Sequence, residues 1–250
     1  MTATDEILAL AASAGLAATV TEADVAAFRA LAAEGEDGAA ARALLAARPA
    51  TGSLGQPAGH PDAPSAPVSG SPAWTAWLIA AAAASGAAAA GAAAVAGEAP
   101  ADAGEPKAGT PAWCAVFGAA VAITGPPGNA PPAVAVTAAV TAGLGAAAIV
   151  ESGLTEWGGW SSGTVAAVVG AGVTAGLLLG LTGPRLRAAI GICATQAAGL
   201  RAAEGTDAFP LQAGKAAFNG VEAALLARAG FTAPAEPLDG RRGLFALFGS

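Results

Sequence analysis

The chain reads as an all-α protein: a large helical domain built mainly from alanine and glycine. Alanine dominates the composition, strand-forming residues are sparse, and tyrosine is absent. Long apolar runs also open and close at Pro and Gly signals of the kind that bound helices. A chain of 250 residues can hold one large core or two small ones, since single cores stop growing near roughly 250–300 residues. The organisation expected is N-terminal helices over 1–48, a Pro/Gly-rich linker over 49–72, and a main helical domain over 73–250 that forms one fold with the first segment.

The elements follow in order. An amphipathic segment starts at Asp5, and Thr21-Glu22-Ala23-Asp24 has capping-box spacing, so the helix continues to about Leu31. A further helix near 38–47 stops at Arg48-Pro49. Residues 49–72 show no apolar period and read as a flexible linker or lid. Residues 73–96 form an Ala-rich helix with Trp74 and Trp77 at i, i+3 spacing, which suits core or subunit contact better than a substrate platform. The loop 97–110 holds carboxylates that face water. Helices over 111–123 and 133–150 are split by T-G-P-P-G-N-A-P-P.

Residues 164–181 are apolar on every side and read as a buried helix. Gly170, Gly172, Gly176 and Gly180 each cost about 1 kcal/mol of helix propensity against Ala, so their presence in one segment implies close backbone approach. Pro184 opens a helix to about Ala203, and Phe209-Pro210 opens another that reaches Arg228 and stops at Ala229-Gly230. The tail G-R-R-G-L-F-A-L-F-G-S carries large apolar residues that dock on the core or on a partner.

Several function classes drop out on composition. The formal net charge is -7 and the eleven basic residues are dispersed, so no stripe exists to bind a nucleic-acid backbone. Cys114 and Cys193 are far apart and flanked by apolar residues, and the lone His60 lies in the linker. Both cysteines are expected as buried hydrophobes, with no metal site and no cofactor. The N-terminus has no basic region before an apolar run, which points to a cytoplasmic protein. Residues 108–150 and 157–184 contain no charged residue, so membrane insertion is the compositional rival. Their Ala/Gly content, internal prolines and lack of flanking basic clusters argue instead for core helices of a soluble protein.

Residues 157–247, and more weakly 111–150, resemble the MmgE/PrpD family, whose members include 2-methylcitrate dehydratase and cis-aconitate decarboxylase. The resemblance rests on W-G-G-W-S-S-G-T and on A-F-P-L-Q-A-G-K-A-A. It implies an all-helical domain and dimers formed through that domain; full-length members add an α+β lid after the region matching Gly243, to which nothing here corresponds. The family's acidic motif falls around Ile123, Thr124 and Gly125. Its G-W-H-P-T-G-T motif falls on Gly159-Trp160-Ser161-Ser162-Gly163-Thr164, without a histidine, and Phe209 falls where the family has a functional lysine. Ser161, Ser162 and Gln212 hydrogen-bond but do not act unaided as bases at neutral pH. The family's usual acid/base route is therefore not expected here.

The candidate catalytic groups are Glu156, Ser161, Ser162, Asp207 and Lys215. For Glu156 the plain alternative is a solvated loop carboxylate, for Asp207 a helix-start charge or cap, and for Lys215 a retained structural cation. Ser162 has no histidine beside it and is not expected as a nucleophile. Asn129, Trp160, Thr164, Phe209 and Gln212 are the candidate substrate-binding residues, and the site is expected where 156–164, 207–215 and the turn near Asn129 meet. Two functions fit. One is a divergent scaffold that binds an unusual small molecule, with lyase-, isomerase- or cyclase-like chemistry by positioning. The other is a non-catalytic subunit paired with a full-length relative; a homodimer or such a heteromer is the expected state.

Overall fold

The computed structural model describes residues 1–13, 72–89, 110–124, 131–154 and 159–248. Eight α-helices order these segments: α1 Ala3–Ser13, α2 Pro72–Ala89, α3 Pro111–Thr124, α4 Ala133–Gly153, α5 Ser162–Leu178, α6 Gly183–Gln196, α7 Ala208–Arg228 and α8 Leu244–Phe248. A short 3-10 turn, Arg201–Ala203, precedes α7. Among the described residues there is no strand, only an isolated antiparallel bridge between Trp160 and Leu200. The domain is all-α, as the composition implies. The helices expected over 21–31 and 38–47, nearly all of the linker, and the carboxylates of 97–110 lie outside the described residues, as does the side chain of Trp74.

The centre of the bundle is α5. Every residue from Thr164 to Gly176 is buried, and α3, α4, α6 and α7 pack around it. This explains why its sequence is apolar on all sides: no face meets water. Its one mid-helix hydroxyl, on Thr174, points to the carbonyl oxygens of Gly170 (3.0 Å) and Ala139 (3.3 Å). The clustered glycines do mark close approach. A Cβ at Gly220 of α7 would sit 2.6 Å from the Gly172 nitrogen and 2.8 Å from the Val168 oxygen. Gly170 faces the Gly143 carbonyl of α4 in the same manner, at 2.8 Å.

Gly180 departs from the expectation. It lies beyond the end of α5 with φ +74 and open space around it, and the Leu181 N–H donates to the Gly176 carbonyl at 2.8 Å. That is a left-handed helix stop, a role that favours glycine for its φ rather than for space. Gly230, at φ +97, closes α7 in the same way through the Phe231 N–H and the Leu226 carbonyl (3.1 Å).

The remaining helices clothe this core. α2 lies on α7 and α3, with Trp77 edge-on to Phe218 at 5.4 Å. α1 packs on α4 and α6, held by an Arg187–Asp5 ion pair of 2.6 Å and a Thr4 N–H bond to the Asp239 carboxylate of 3.4 Å. The tail docks on the core: Leu238 and Leu244 are buried, and the Phe245 ring lies against Gly153. Both cysteines are buried, which pushes their thiols up to about 12. They are packing groups without thiolate reactivity at neutral pH. Among the described residues α4 is the one helix long and apolar enough to cross a membrane, and half of that stretch is buried in the bundle.

Candidate functional site

The loop entering α5 pairs with residues 199–201 of the α6–α7 connection through backbone hydrogen bonds that periodicity does not reveal, and the expected 207–215 segment is tied to that connection by the Gln212 side chain. α6 stops at Gln196 instead of continuing to Ala203, because residues 197–200 turn away to pair with the 159–161 loop. Ser161 N–H donates to the Gly199 carbonyl (3.1 Å), and Arg201 N–H donates to the Gly159 carbonyl (2.9 Å). A Cβ at Gly199 would sit 2.7 Å from the Thr164 Cβ, so glycine lets the two segments touch.

Gln212, one turn into α7, locks this junction. Its Oε1 accepts the Leu200 N–H (2.5 Å), and its Nε2 donates to the Leu200 carbonyl (3.1 Å). Asn219, two turns on, donates to the Gln196 carbonyl at 3.0 Å. Both amides on one face of α7 thus hold the α6–α7 connection in place.

Ser161 takes the N-cap position of α5, yet its hydroxyl makes no cap bond. It pairs with the Thr164 hydroxyl at 2.9 Å, and both groups are buried. Ser162 turns the other way and donates to Glu151 Oε1 at 3.2 Å. Trp160 is 42% exposed and Leu200 55% exposed on the outer side of the bridge. Phe209 is buried in the first turn of α7. Asp207 occupies the N-cap position of α7 without a side-chain cap bond; Thr206 supplies it, accepting the Ala208 N–H at 3.3 Å. Lys215 lies with its ammonium 4.0 Å from the Phe218 ring centre and 5.2 Å from that of Trp77. Desolvation by these neighbours lowers its pKa, and the Glu222 charge partly restores it. Gln212 and Lys215 share a helix face as spaced but serve different partners. Glu156 and Asn129 lie outside the described residues.

Glu151 is the ionisable residue that the motif reading missed. It sits in the last turn of α4, the unfavourable end for a carboxylate, but beside the N-terminus of α5, the favourable one. Burial raises its pKa, and the Ser162 hydroxyl opposes that rise. A clue was present: it is the first charged residue after the uncharged run 108–150. Because the folded state holds this proton more tightly than the unfolded chain, the associated stability is present below the unfolded pKa and is lost as pH rises through the folded one. Glu151→Gln keeps an acceptor for Ser162 and removes the charge. Denaturant titrations between about pH 4 and pH 7 should show the variant gaining on the wild type as pH rises. A variant that is less stable at pH 7 would mean the ionised carboxylate is the favoured state.

No group of three or more His, Cys, Asp or Glu residues suited to a metal occurs among the described residues. No curated protein matches the chain significantly. The profile of the MmgE/PrpD N-terminal domain matches residues 107–250, more than half of the sequence and the span that contains α3 to α8 together with the 159–164 loop and the Gln212 junction. The chain therefore belongs to the MmgE/PrpD family, to which it is matched through that family's N-terminal domain.

Proposed function

We propose that this protein is a non-catalytic member of its family, a helical subunit that acts by pairing with a full-length relative. The observation that carries the reading is the engagement of polar groups at the motif positions. The Ser161 and Thr164 hydroxyls bond each other, and both ends of the Gln212 amide bond the Leu200 backbone. Proton transfer next to a substrate carboxylate needs a titrating group within hydrogen-bond reach of it. Asp207 is exposed on a turn, and Lys215 lies over aromatic rings. Neither hydrogen-bonds the Ser161–Thr164 pair, and among the described residues the carboxylate in reach of a motif hydroxyl is Glu151, bonded to Ser162.

The test is an assay of the purified protein with 2-methylcitrate and cis-aconitate, together with light scattering and identification of copurifying chains. Expected are no turnover near the rate of about 1 per second typical of enzymes, and a heteromer with a relative. Turnover of either compound, or a stable monomer in the presence of a full-length relative, overturns the reading. A second reading, binding of a small molecule with lyase-, isomerase- or cyclase-like chemistry, is favoured by the half-buried Glu151 carboxylate beside Ser162. It predicts a copurifying ligand that Trp160→Ala abolishes without loss of helical content.

A further inference from the structure

A groove of about 610 Å³ is lined by none of the residues considered as a site above. One wall is Leu8 of α1, a second is the first turns of α6 with Pro184, Arg185 and Arg187, and a third is the chain leaving α7 with Phe231 and Thr232. Its volume falls in the range of small-molecule pockets, roughly 300–1,000 Å³. The lining is mostly apolar, and among the described residues of a chain of net charge -7 it contains two guanidiniums and no carboxylate.

The two arginines differ. Arg187 already bonds Asp5 (2.6 Å) and the Ala235 carbonyl (3.0 Å), with Glu236 at 3.8 Å, so it ties α1 and the tail segment to α6. Arg185 is exposed and has no ion pair among the described residues. The end of α6 adds little to an anion: Pro184 has no N–H, and the N–H groups of Arg185 and Leu186 both point to the Thr182 carbonyl. Among the described residues the one guanidinium of the groove without an ion pair is thus that of Arg185, and Phe231 on the same groove is left 59% exposed.

We infer that this groove binds a small amphipathic carboxylate, with its head group on Arg185 and its hydrocarbon body along Leu8 and Phe231. One unpaired cation among the described residues fits a singly charged head group better than a phosphate ester or a polycarboxylate. The apolar walls supply the burial that a hydrocarbon chain needs. The inference is independent of the proposed function.

Octanoate is the probe, titrated calorimetrically into the full chain, with octanol and octylamine as controls. Expected is saturable binding of one octanoate per chain, about tenfold or more weaker for octanol and for Arg185→Gln, since a bond to a charged group is lost. Arg185→Lys should keep most of the affinity and Phe231→Ser should reduce it severalfold. Both positions are exposed, and circular dichroism checks that each variant folds. No saturable binding up to about 10 mM, equal affinity for octanol, or affinity unchanged in both Arg185→Gln and Phe231→Ser overturns the inference.

Discussion

Gly220→Leu is expected to cost the bundle at least about 3 kcal/mol, the upper end of typical overpacking penalties. The neighbours that a Cβ would meet are Ala171, the Gly172 nitrogen and the Val168 carbonyl, at 2.6, 2.6 and 2.8 Å. Two of these are backbone atoms of the central helix, which no rotamer change can move aside. Relief requires α5 and α7 to separate, and with them the valine layer that fills the core. For a domain of this size the melting temperature should fall by roughly 6–12 °C. Gly220→Ala adds only the Cβ and regains about 1 kcal/mol of helix propensity, so a smaller loss is expected. Gly159→Ala, where a Cβ meets nothing within 4 Å, is the neutral control. If Gly220→Leu melted with the wild type, the close α5–α7 crossing would be wrong. The crossing also sets the junction, because α7 carries Phe209 and Gln212.

Much of this architecture was legible in local signals, and the particular residues show why. Pro111, Pro184 and the Ala229-Gly230 stop fixed helix ends within a residue or two, since their effect on φ and on hydrogen bonding acts within one turn. The crowding at Gly170, Gly172 and Gly176 was legible because propensity is sacrificed only for space or for φ. Gly180 shows that the same residue answers both needs, and composition alone does not say which. The end of α6 was not legible: residues 197–203 suit a helix, and only the distant Ser161, Gly159 and Gln212 draw them into a bridge. The candidate residues were findable as polar interruptions of apolar runs, but their partners were not. Ser162 finds Glu151 on the preceding helix, and Gln212 finds Leu200 across the α6–α7 connection. Those pairings depend on how helices cross, which no helical period encodes.

Phe209→Lys, which writes the lysine of the resembling motif back into this chain, is expected to damage the fold without creating a catalyst. Phe209 is 7% exposed in the first turn of α7. Losing its burial costs about 1.5–3 kcal/mol, and an ammonium placed there must be desolvated. Lys215 shows how a lysine on this helix is tolerated: its ammonium lies over the Phe218 and Trp77 rings while the residue as a whole stays exposed. Position 209 is buried, unlike position 215, so the same escape demands rearrangement of the first turn of α7. A loss of about 3 kcal/mol or more is expected, of the size seen when a core phenylalanine is truncated, and Phe209→Met should cost less than about 1.5 kcal/mol. Chemical denaturation reads both, and an assay with cis-aconitate and 2-methylcitrate reads the chemistry. A Phe209→Lys protein as stable as the wild type would mean that position 209 faces an open site; if it also turned over either substrate, the non-catalytic reading would fall, because a single residue would then separate this scaffold from an active one.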